Sequence, residues 1–128
     1  MNDIAICNLN NIKKKIDERI DKANLYKKIL NDNIVIKTNC LNRENALLEF
    51  PVILKNINNN EAHNRLMMNG YDIRHTWYIN NIKYSENLNI NDFKESHLIA
   101  EKILCLPLHE NISSNDIRKI SSIINTFD

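Results

Sequence analysis

The chain has 128 residues, 43% hydrophobic and 26% charged, with a formal net charge of +1, which describes one globular domain with room for a real core. Acids and bases are interspersed and no long basic stripe exists, which argues against nucleic acid or an acidic membrane surface as the main partner. A lone glycine, Gly70, excludes the Gly-rich phosphate loops of self-contained nucleotide-binding domains.

The first third predicts one long helix. Leu9, Ile12, Ile16, Ile20, Ala23, Tyr26 and Ile29 or Leu30 recur at spacings of three and four, a single apolar stripe. Lys13-Lys14-Lys15, followed at once by Asp17 and Glu18, reads as a solvated helix face rather than an anion site. The helix is expected to end at Asn31-Asp32-Asn33, residues that favour turns. Asn and Ile make up about a third of the chain; the Ile residues keep a helical period, which points to AT-rich codon usage rather than low-complexity disorder.

Ile34-Val35-Ile36 is a short β-prone run. Leu47 to Ile57, centred on Phe50-Pro51-Val52-Ile53-Leu54, predicts a strand with Pro51 near its start or on an edge, where a missing N–H is tolerated. Asn58, three residues before Glu61, has the pattern of a helix cap. That helix runs through Ala62, Leu66 and Met67 and stops at Gly70. Tyr71 to Ile79 predicts a further strand, Asn80 to Asn91 a polar loop, and Glu95 to Lys102 a short helix. Ile103-Leu104-Cys105-Leu106 predicts a buried strand ended by Pro107. Ser113, three residues before Asp116, caps a last helix with the stripe Ile117, Ile120, Ile124 and Phe127.

The expected architecture is an α/β (α+β) domain: a long N-terminal helix, then a small sheet of about three strands with helices packed on one face. Sheet order, and whether crossovers make the strands parallel, stay open. Cys7, Cys40 and Cys105 are far apart and odd in number, which favours reduced thiols over a disulfide framework. Met1-Asn2-Asp3 opens no signal peptide, and no stretch is long enough to span a membrane. A cytoplasmic protein is the expectation.

Four stretches, in order, resemble the C-terminal part of the DegT/DnrJ/StrS sugar aminotransferases, which use pyridoxal phosphate. Ile4-Ala5-Ile6-Cys7-Asn8-Leu9, then Arg19, then Tyr26-Lys27-Lys28-Ile29-Leu30 resemble the family helix I-G-L-A-Q-L, an arginine, and Y-x-x-x-L. Ala5 stands for the usual Gly and Asn8 for Gln. Phe50-Pro51-Val52 resembles the first small-domain strand. Asn64 to Arg74 resembles L-x-x-x-G-I-x-x-R, and Ala100 to His109 resembles A-E-x-x-L-x-L-P-x-H, followed by a capped helix.

The resemblance implies amino transfer, usually from glutamate, to a keto group on a nucleotide-linked sugar, with the cofactor as electron sink. It also implies a division: residues 1–33 form the helix joining a large domain, and residues 34–128 form the small C-terminal domain. The Schiff-base lysine belongs to the large domain, upstream of this chain. No lysine here lies in a stretch resembling that site; Lys13, Lys14 and Lys15 lie on a helix face, and Lys37, Lys55 and Lys83 flank apolar or loop segments. The chain alone is expected to hold no catalytic residue and to bind no cofactor.

The expected substrate-contact segment holds Arg74, His75, Trp77 and Tyr78. Corresponding family segments lead toward the active-site mouth. Arg suits a carboxylate or phosphate, and Trp and Tyr offer flat faces with polar tips. The family's usual His-Tyr pair and following His are not kept, since Asn80 and Asn81 occupy that stretch; a strand whose aromatics fill the core is the competing reading. His63, His75, His97 and His109 are scattered, with no convergent metal-ligand set, and Cys105 in an apolar strand reads as inert. Expected partners are a large aminotransferase domain in trans, or a second copy joined through the N-terminal helix, whose unburied stripe favours association. Alternatives are an inactive truncated remnant or a small interaction domain.

Overall fold

A computed structural model describes residues 2–38, 47–73 and 89–127. The order is α1 (Asn2–Ile29), β1 (Val35–Lys37), β2 (Glu49–Leu54), α2 (Asn59–Met68), a 3-10 turn at Ile90–Phe93 running into α3 (Lys94–Lys102), β3 (Ile103–Pro107) and α4 (Ser114–Ile124).

The three strands form one sheet in the order β1-β2-β3, antiparallel throughout. Val35 lies opposite Leu54, and Phe50 opposite Leu106. The crossovers that left parallel pairing open do not produce it: after α2 and α3 the chain re-enters the sheet at the end where β2 left it.

Pro51 sits in the middle strand of this order, which is unusual for a residue with no N–H to donate. The register explains it. β1 pairs with β2 only at Val52, Ile53 and Leu54. At Pro51 the strand has Cys105 of β3 opposite it, and β1 does not reach that far.

Side chains alternate along β2. Phe50, Val52 and Leu54 are buried, and Glu49, Pro51 and Ile53 are half-buried. The buried set joins Val35, Leu104 and Leu106 of the sheet with Ala23 and Tyr26 of α1, Ala62 and Leu66 of α2, and Ile117, Ile120 and Ile124 of α4. This is the expected layer of helices on one sheet face. The Tyr26 and Phe50 rings stack at its centre, 6.0 Å apart and 11° from parallel. All four predicted stripe positions of the last helix, including Phe127, are buried. α3 contributes no buried side chain.

Local capping fixes the helix ends. The Asn58 side chain accepts from the Glu61 N–H at 2.9 Å, and Ser113 with Asp116 makes a reciprocal capping box on α4. α2 ends in a Schellman turn. The Tyr71 N–H reaches the Leu66 carbonyl at 3.0 Å and the Gly70 N–H reaches Met67 at 2.9 Å, with Gly70 at φ +84°, a conformation that needs glycine. Buried Asn59 donates from Nδ2 to the Ala100 carbonyl at 2.8 Å, tying the start of α2 to the end of α3.

Two expectations change. Tyr71–Ile73, read as the opening of a strand, pairs with no strand among the described residues: the Tyr71 N–H serves the α2 cap and the Ile73 N–H turns back to the Tyr71 carbonyl at 3.1 Å. The rest of that predicted strand lies outside the described residues. The 3-10 turn occupies Ile90 and Asn91, at the end of the predicted loop.

The stripe of α1 divides in two. Ala23, Tyr26 and Leu30 are buried, Ile16 and Ile20 half-buried, and Leu9 and Ile12 are 65% and 53% exposed. No described helix is long and apolar enough to cross a membrane.

Candidate functional site

The predicted contact residues Arg74, His75, Trp77 and Tyr78 lie outside the described residues. The root of their segment is described. Ile73 is buried, and its carbonyl is 2.8 Å from His63 Nδ1. The Tyr71 hydroxyl makes a long 3.5 Å contact with Asp116 Oδ1. Burial, with the Asp116 charge beside it, raises the Tyr71 phenol above its usual range. Hydrogen bonds from Ser113, first its side chain and then its backbone, hold the Asp116 carboxyl below the usual range. The segment therefore departs from a root fixed to α2 on one side and α4 on the other.

A second feature lies where α1 passes the β3–α4 loop. Lys15, Glu18, Arg19, Lys22, Leu108, His109 and Glu110 line a recess of about 140 Å³. The Lys22 ammonium donates to the His109 carbonyl at 2.7 Å, and Lys15 pairs with Glu110 at 3.4 Å. His109 thus serves the fold through its backbone carbonyl. Lys13, Lys14 and Lys15 are all exposed, as a solvated helix face requires, and Lys15 also borders the recess. The sequence signal for this recess is the spacing of Lys15, Arg19 and Lys22, which share one helix face.

The described donor set does not fit pyridoxal phosphate. A Schiff-base lysine is activated by desolvation or by a neighbouring cation. Lys37 has a covered stem, with its side chain 11% exposed, yet its Nζ sits 2.8 Å from Asp32 and donates to the Lys27 carbonyl at 2.9 Å. Lys55 donates to the Asp32 carbonyl at 2.7 Å, and Lys102 donates to the Lys55 carbonyl. Lys27, Lys28, Lys94 and Lys119 are exposed on helices; Lys83 lies outside the described residues.

Metal chemistry fares no better: among the described residues no three His, Cys, Asp or Glu side chains converge. His97 faces Glu101 at 3.3 Å on its own helix. Cys105 is buried in β3.

Comparison with known proteins bears on the whole chain. No curated protein sequence matches it significantly. Among solved structures, a Streptococcus pneumoniae protein assigned as a sugar aminotransferase, in its PMP-form, matches with a TM-score of 0.80 at 13% identity. That match covers 95% of this chain and 33% of the other, so the chain spans about a third of the solved protein's length. At this identity the likeness is one of fold. The model of a pyridoxal-phosphate-dependent family matches residues 3–125. The chain belongs to the DegT/DnrJ/EryC1/StrS aminotransferase family.

Proposed function

We propose that the chain is the C-terminal small-domain part of a pyridoxal-phosphate-dependent aminotransferase acting on a nucleotide-linked keto sugar, in amino-sugar or surface-polysaccharide synthesis. In this reading residues 1–33 form the junction to a large domain and residues 34–128 the small domain. The Schiff-base lysine and the acid that holds the pyridine nitrogen lie outside these 128 residues. Arg74, His75, Trp77 and Tyr78 contact the substrate at the rim of the completed site.

The observation that carries the reading is the divided stripe of α1. A family member that aligns with a third of a relative presents Leu9 and Ile12 to solvent, and an apolar ridge of this kind is what a missing neighbour covers. The large domain is the preferred occupant; a second copy of the chain is the other.

The test is incubation of the purified chain with pyridoxal phosphate, followed by borohydride and mass spectrometry. No stoichiometric lysine adduct is expected; one at full yield overturns the reading. Co-expression with a large-domain partner is expected to give transaminase activity. Persistent inactivity favours an inactive remnant or a binding module, a reading to which the described lysines, all solvated or hydrogen-bonded, also lend weight.

A further inference from the structure

The recess between α1 and the β3–α4 loop holds an uneven set of charges. Lys15, Arg19 and Lys22 face Glu18 and Glu110. Glu110 is committed to Lys15 at 3.4 Å, and Glu18 contacts Lys14 at 4.0 Å. Lys22 spends one N–H on the His109 carbonyl and keeps two. Arg19 is half-buried, and its side chain makes no hydrogen bond or ion pair with any described residue. Its guanidinium offers five donors in a planar fork that fits a carboxylate or phosphate edge. Leu108, buried beneath the recess, is apolar and contributes no competing side-chain acceptor.

We propose that this recess binds a single oxyanion group, phosphate or carboxylate, with Arg19 as the bidentate ligand and Lys22 as the second donor. The size fits one group rather than a whole cofactor. The recess measures about 140 Å³, against roughly 300–1,000 Å³ for pockets that enclose a complete small molecule. The carboxylates limit affinity, and Glu110 does so in a specific way: it occupies Lys15, which lies one turn from Arg19. The site does not depend on the transaminase reading.

The experiment is a titration of the ¹⁵N-labelled chain with sodium phosphate and, separately, sodium acetate, at constant ionic strength set with sodium chloride. Saturable shifts are expected at the amides of residues 15–22 and 108–110, with a dissociation constant on the order of millimolar. Saturation by phosphate alone assigns the group as phosphate, saturation by acetate alone assigns a carboxylate, and equal saturation by both assigns the oxyanion edge that the two share. Arg19→Gln, which keeps the stem and a good helix former, weakens binding at least tenfold. Arg19→Lys keeps the charge without the fork and weakens it as well. Glu110→Gln releases Lys15 and tightens binding. Shifts that never saturate with either salt, or binding unchanged in Arg19→Gln with native circular dichroism, overturn the proposal.

Discussion

Asn125 closes the end of α1 from the far end of the chain. Its Oδ1 accepts from the Asn31 backbone N–H at 2.8 Å, and its Nδ2 donates to the Ile29 carbonyl at 3.1 Å. One side chain thus satisfies a carbonyl that helix geometry leaves open and an N–H of the turn beyond it. Asn125→Ala removes both bonds and is expected to cost about 1–3 kcal/mol, read as a lower urea midpoint with an unchanged slope. Asn125→Asp keeps the acceptor, loses the donor and is expected to fall between.

The Tyr26–Phe50 stack gives the second prediction. Tyr26 is buried and its hydroxyl finds no hydrogen-bond partner among the described residues, and burial, with Asp116 nearby, drives its phenol far above the usual range. Tyr26→Phe deletes an unsatisfied polar atom while keeping the ring, so thermal stability is expected to hold or rise. Phe50→Ala empties the other half of the stack and is expected to cost about 3–5 kcal/mol.

Stability in acid follows from two aspartates. Asp116 is held low by Ser113, and Asp32 by its hydrogen bond from Lys37 and then by the Lys37 charge. A carboxyl whose folded value lies below its unfolded one adds stability above the unfolded value, about pH 4. That contribution is lost as pH falls through the lower folded value. Unfolding midpoints are therefore expected to drop below about pH 4, with a flatter profile in Asp116→Asn and flatter still in the double variant with Asp32→Asn. An unaltered profile in the double variant contradicts the assignment.

The divided stripe predicts a split between folding and association. Leu9→Glu with Ile12→Glu changes residues that are exposed in the chain alone, so the unfolding free energy is expected to change by no more than about 0.5 kcal/mol per site. The same pair is expected to abolish pull-down of a large-domain partner, or dimer formation in sedimentation if a second copy is the occupant. Ala23→Glu, at a fully buried position on the same stripe, is expected to unfold the chain.

What the sequence made legible was local. Asn58 with Glu61, Ser113 with Asp116, and Gly70 at the end of α2 act across a few residues, so their spacing carries the whole interaction. The stripe Ile117, Ile120, Ile124 and Phe127 was equally readable, because its period encodes one buried face. Antiparallel pairing was not, since the register of Glu49 against Pro107 depends on the path taken through α2 and α3. Nor was the boundary along α1: Ile12 and Ala23 belong to one periodic pattern, and only the placement of α4 and the sheet separates exposed from buried. The Asn125 clasp joins residues more than ninety positions apart, |i−j| = 94 and 96, and has no local signature. Of the candidate site, the Lys15–Arg19–Lys22 face was present as a spacing, but its opposing wall, Leu108 to Glu110, came from the other end of the chain.

Because α1 runs unbroken from Asn2 to Ile29, it works as a ruler with a fixed phase. Leu9 and Ala23 are about 20 Å apart along the axis at roughly 1.5 Å per residue, and α4 and the sheet together hold the Ala23 end. Whatever grips the Leu9 end is held at a set distance and angle from the sheet. Adding one residue between Ile12 and Ile20 lengthens the helix little but turns the outer ridge by about 100° relative to the core, pointing it away from any surface shaped to receive it.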